Sequence, residues 1–117
     1  MKKQFAALLM LTAILISGCG DQPLKFRNLL EADQYIRNNI ENTDWNTFKL
    51  MLSPDNTVTE TDFNYLKEKL TSQHKSYFHT EAVDRFYRFN KQNELVYMTE
   101  WEKKDGILLL KDIDYIQ

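Results

Sequence analysis

Apolar positions along this chain follow three rhythms, and each rhythm marks a different segment. Phe5 to Ile16 is an apolar run of 12 residues, broken only by Thr12, behind the cations Lys2 and Lys3. From Phe26 the spacing becomes three and four: Phe26, Leu29, Ala32, Ile36 and Ile40, with Glu31, Asp33, Arg37 and Asn38 among the intervening positions. That period predicts an amphipathic helix with one buried stripe. Asn42-Thr43-Asp44 interrupts it, and Asp44 is a natural N-cap for a second, short helix carrying Trp45, Phe48 and Leu52. Ser53 precedes Pro54 and is pushed out of the helical region, so that helix ends there. Thr59-Glu60-Thr61-Asp62 reads as a capping signal for a third helix with Phe63, Leu66 and Leu70 on its apolar side.

After the polar connection 71–76 the period falls to two. Residues 77–89 predict one strand, with Val83, Tyr87 and Phe89 on a shared face. Asn90-Lys91-Gln92-Asn93 is a turn. Leu95, Tyr97, Thr99 and Trp101 form one face of the next strand. Asp105-Gly106 supplies a hairpin turn whose central residues need positive φ. Residues 107–116 are the closing strand, apolar on both sides in its first half, which suggests a central or doubly covered position. Three helices followed by a three-stranded antiparallel meander make an α+β domain, because such a meander buries its face only under a helix.

The first rhythm has a different meaning. Twelve residues are too few for the roughly 20 that a spanning helix requires, but they suit the apolar core of an export signal. Ile16-Ser17-Gly18-Cys19 follows directly, and this tetrapeptide resembles the lipobox of bacterial lipoproteins. The resemblance implies diacylglyceryl and acyl (palmitate-type) modification of Cys19, cleavage before it, and a cell-membrane, extracytoplasmic location. Residues 1–18 are then the signal peptide, 19–23 the lipidated terminus and tether, and 24–117 the folded domain. Each buried methylene contributes about 0.8 kcal/mol, so two chains anchor durably where one does not. Residues 20–23 reach only about 14 Å when extended, which keeps the domain near the headgroups.

Cleavage of the 117-residue chain before Cys19 leaves 99 residues, and loss of Lys2 and Lys3 moves the formal charge from −2 to −4. A mildly acidic domain is a poor ligand for phosphate backbones, so no nucleic acid is expected. With its single cysteine committed to lipid, the domain must be held by packing, for which two Trp, six Tyr and the Phe residues provide one modest core.

The element order, ending in Leu110-Lys111-Asp112-Ile113-Asp114-Tyr115, resembles the cystatin-like or NTF2-like superfamily. Together with the lipobox it is similar to small cystatin-like lipoproteins of Gram-positive bacteria. Some of these are carried on integrative conjugative elements, and one known role there is exclusion of redundant transfer. The resemblance implies a partner in the envelope, such as a component of the conjugation machinery.

Catalytic and metal chemistry finds little support in the residues. His74 and His79 lie five apart, a spacing that fits neither a helical nor a strand pair of ligands, even with Glu81 or Asp84 added. No metal or cofactor is expected. In NTF2-like enzymes a pocket between sheet and helices carries inward Asp, His or Tyr; His79, Tyr87, Tyr97, Asp112 and Asp114 are the candidates here. Asp112 and Asp114 share a strand face, but both are expected to face water opposite Ile113 and Tyr115. Gly18, Gly20 and Gly106 are the only glycines, so a Gly-rich phosphate loop is excluded. Arg85-Phe86-Tyr87-Arg88-Phe89 is the best recognition candidate, because interfaces favour Arg and aromatic side chains. Arg85, Tyr87 and Arg88 are its expected partner contacts. The expectation is a lipid-anchored binding domain without catalysis; the alternative is a pocketed NTF2-like domain that binds or transforms a small apolar molecule.

Overall fold

Polar caps set where each of the three helices begins. A computed structural model describes residues 25–72 and 78–116. Helix α1 spans Leu29–Asn39, with the Asn28 side chain accepting from the Glu31 amide. A 3-10 turn, Ile40–Asn42, leads to the short α2, Trp45–Phe48, where Asp44 accepts from the Thr47 amide as expected. A second 3-10 turn, Lys49–Met51, follows. Helix α3 spans Glu60–Ser72. Its first turn is closed reciprocally: the Thr59 amide donates to Asp62 Oδ2 at 3.0 Å and the Asp62 amide to Thr59 Oγ1 at 3.2 Å.

Among the described residues the sheet has four strands, β1 Phe78–Glu81, β2 Arg85–Phe89, β3 Leu95–Lys104 and β4 Ile107–Asp114, antiparallel and in that order. The expected strand over 77–89 is therefore two. The Ala82 amide donates to the Arg85 carbonyl at 2.9 Å, and the chain reverses through Val83 and Asp84. Val83, expected on a strand face, is 98% exposed at the tip. The reversal between β3 and β4 is as expected, with Asp105 at φ 54 and Gly106 at φ 80. The α+β class stands, with a four-stranded meander in place of three strands.

Two bulges bend the ladder. Arg88 pairs with Tyr97 and Phe89 with Leu95, so Val96 is an extra residue in β3. Lys111 is extra in β4, between Leu110 opposite Trp101 and Asp112 opposite Glu100. The first bulge breaks the expected shared face of β3: Leu95 stands beside Phe89, while Tyr97, Thr99 and Trp101 are buried. It also frees the Val96 carbonyl to accept from the Tyr65 hydroxyl of α3 at 2.8 Å.

The helices lie against one face of this sheet. Ala32 and Ile36 of α1, Phe48 of α2, and Phe63, Leu66 and Leu70 of α3 meet Phe86, Tyr97, Trp101, Leu110 and Ile113 in a single core. Phe26 packs edge-on to Trp101, and Phe48 against Phe63 at 4.8 Å between centroids. β4 is an edge strand rather than a central one, but its edge is partly closed. The Ser53 amide donates to the Leu110 carbonyl at 2.8 Å and the Thr57 amide to the Lys111 carbonyl at 2.9 Å. On the other side, no further strand pairs with β1 among the described residues.

Candidate interaction surface

Strand alternation divides the candidate residues of β2 between the two sheet faces. Phe86 and Arg88 point into the core, and Arg85, Tyr87 and Phe89 point away from it. Arg88 was expected as a partner contact. It is instead 3% exposed, with Nη2 2.5 Å from Asp33 Oδ2. Its guanidinium also lies over the Phe86 ring, 5.2 Å from the centroid. A cation held this way is unavailable to a partner, so the contact role is corrected for Arg88.

Asp33 is the residue that the sequence reading missed. Placed among the polar intervening positions of α1, it is fully buried. Its second oxygen accepts from the Tyr97 hydroxyl at 2.6 Å. One carboxylate thus ties α1 to β2 and β3, and both of its oxygens are engaged by charge-assisted bonds. Burial, then the negative charge of Asp33, pushes the Tyr97 phenol well above its usual range. The available signal was position: Asp33 lies four residues after Leu29 and three before Ile36, within the stripe rather than across from it.

The outward face is organised in cross-strand rows. Phe78, Phe89 and Leu95 stand side by side in the register of β1, β2 and β3. The next row is Thr80, Tyr87, Met98 and Asp114, and the next Arg85, Glu100 and Asp112. Phe78 is 58% exposed, and Tyr87, Phe89, Leu95 and Met98 are half-buried without belonging to the core. Arg85, expected as a contact, is exposed, with Nε 4.0 Å from Glu100 Oε1. Hydrogen bonding by Tyr87, then the Glu100 carboxylate, raises its already high pKa. Arg85 and Tyr87 are therefore brought together on an accessible face, and Arg88 is not.

Among the described residues, the remaining candidates do not assemble into a reaction centre. His79 stacks on Phe86, with centroids 5.0 Å apart and planes inclined by 10°. His74 lies outside the described residues, as do Ile16, Ser17, Gly18 and Cys19. Among the described residues, no three His, Cys, Asp or Glu side chains gather as a metal site. Asp112 takes a 2.8 Å bond from the Thr57 hydroxyl, and Asp114 is exposed.

A groove of about 340 Å³ runs between the start of α1 and the far end of the sheet. Its floor includes Trp101, Leu29 and Leu108, and its walls Arg27, Lys103, Glu81 and Asp84. The groove fixes a direction: the N-terminal end of α1 lies by the β1–β2 turn. The Phe78–Phe89–Leu95 row lies at the other end of β2, about 13 Å further along the strand. Among the described residues, no helix is long and apolar enough to cross a membrane. No family model, curated protein or solved structure matches this chain.

Proposed function

We propose that this chain is a lipid-anchored, extracytoplasmic binding protein without catalysis, which recognises another envelope protein through the outward face of its sheet. The observation that carries the reading is the pair of adjoining rows, Phe78–Phe89–Leu95 and Tyr87–Met98, outside the core on a face that also presents Arg85. Aromatic, Met and Arg side chains grouped on an accessible face are the composition of recognition surfaces. Ile16-Ser17-Gly18-Cys19 supports the anchor. Helices followed by an antiparallel meander bent by bulges support a cystatin-like or NTF2-like fold. Exclusion of conjugative transfer is the most concrete form of the role.

The pocketed alternative draws less support. Trp101, Tyr97 and Leu110 fill the space between helices and sheet, where such a pocket would lie. The groove at the end of the sheet has the volume of a small-molecule site. Its carboxylates are exposed ones, however, and the buried Asp33 is not among its lining residues.

Anchor and role are tested separately. Cys19→Ser should abolish incorporation of labelled fatty acid, because a hydroxyl does not replace the thiol in this modification; a variant that still carries label sinks the anchor. Deleting the gene should raise acquisition of the same mobile element in a mating assay, and unchanged acquisition removes the exclusion role. Replacing Phe78 by a photo-crosslinking phenylalanine in living cells should give one adduct that is lost with Phe89→Ser, its cross-strand neighbour in the apolar row. Absence of any adduct counts against the face.

A further inference from the structure

The apolar rows on the outward face end against an acidic border. Past Tyr87 and Met98 the register places Asp114, Glu100 and Asp112, and beyond them Glu102 opposite Leu109. Among the described residues Arg85, Lys104 and the bulge residue Lys111 are the cations on this side, and Arg85 sits 4.0 Å from Glu100 and Lys104 4.0 Å from Glu102. Four carboxylates against three cations leave the border negative, next to a patch whose centre is aromatic.

From this arrangement we infer that the face takes a protein surface with an apolar knob flanked by lysine or arginine. The inference rests on the binding role proposed above and names the chemistry of its partner. Complementary charge selects the partner and speeds encounter, while the apolar rows supply contact area. The same border argues against the bilayer as occupant, since anionic headgroups repel it within a Debye length of about 10 Å at 0.1 M salt. Direction argues the same way. The chain enters the domain at the groove end of the sheet, and the apolar row lies at the opposite end of β2. A second copy would bring two acidic borders onto one interface.

The test uses the mature chain from residue 19 and two synthetic twelve-residue peptides that share one Leu/Phe centre, one flanked by lysines and the other by glutamates. Isothermal titration at low salt should show the lysine peptide binding at least about tenfold more tightly. That preference should shrink with added salt and reverse in a Glu100→Lys/Asp114→Lys variant whose circular dichroism melt is unchanged. Equal binding of both peptides, lost with Phe78→Ser, overturns the charge inference and leaves the face as a recognition site. No binding of either peptide, together with no adduct at position 78 in cells, overturns both. Sedimentation of the chain with vesicles of phosphatidylglycerol, tested without its acyl group, assigns the face to the bilayer and overturns the inference. Dimerisation abolished by Phe78→Ser assigns it to a second copy, with the same consequence.

Discussion

The two faces of the sheet use similar residue types for opposite ends. Each carries aromatic rings, an arginine and a carboxylate from neighbouring strands or a facing helix. Inside, Arg88, Asp33 and Tyr97 are closed on one another at 2.5 and 2.6 Å with water excluded. Outside, Arg85 and Glu100 sit 4.0 Å apart beside Tyr87 at the surface, Arg85 exposed and Glu100 half-buried. The inner set fixes how α1 sits on β2 and β3, because the low-dielectric interior makes any mismatch costly. The outer set constrains the fold little, since exposed ion pairs contribute about 0–1 kcal/mol. A chain that leaves aromatic rows at the cheap face and closes its polar groups at the costly one separates folding from recognition.

The sharpest way to break the comparison is to remove one member of the inner set. Asp33→Ala should destabilise the domain by about 3–5 kcal/mol in a urea titration, because Arg88 is left buried without its carboxylate. Replacing both as Asp33→Leu/Arg88→Met should recover most of that loss. A double variant as unstable as the single one would mean that the pair is needed for more than neutralisation.

Tyr97→Phe is milder, at about 1–3 kcal/mol, since it deprives one Asp33 oxygen of its donor. It also carries a pH signature. The folded-state pKa of Tyr97 is raised by burial and by Asp33, so above the usual phenol value of about 10 the unfolded chain loses a proton that the folded one keeps. The unfolded state then binds fewer protons, and stability falls as pH rises from there. Denaturation midpoints followed from pH 8 to 11.5 should decline above about 10, and less steeply in Tyr97→Phe.

The smallest effect is expected outside. Phe78→Ser should change stability by less than about 0.5 kcal/mol, while abolishing binding of the lysine-flanked peptide. A loss comparable to that of Asp33→Ala would place Phe78 in the fold and not in recognition.

Much of the local structure was legible from residue type and spacing. The caps at Asp44 and Thr59, the stop before Pro54 and the Asp105-Gly106 reversal depend on contacts a few residues apart, which a single sequence displays directly. The turn at Val83-Asp84 was not legible. It contains no glycine, proline or asparagine, and its flanks continue the aromatic alternation of a longer strand. The bulge at Val96 was also hidden, because its cause lies in how β3 meets β2. Half of the candidate surface was visible in the same way: Arg85 and Tyr87 from composition and alternation, but not Phe78, Leu95 or Met98, which join them only through strand register.

Length, periodicity and capping chemistry thus determined that helices precede an antiparallel sheet, since those preferences act within a turn or a strand. Which arginine is buried and which is exposed was decided by tertiary structure alone. Arg85 and Arg88 are identical side chains three positions apart on one strand, so they fall on opposite faces. The carboxylate that α1 brings to one of those faces compensates the buried charge there.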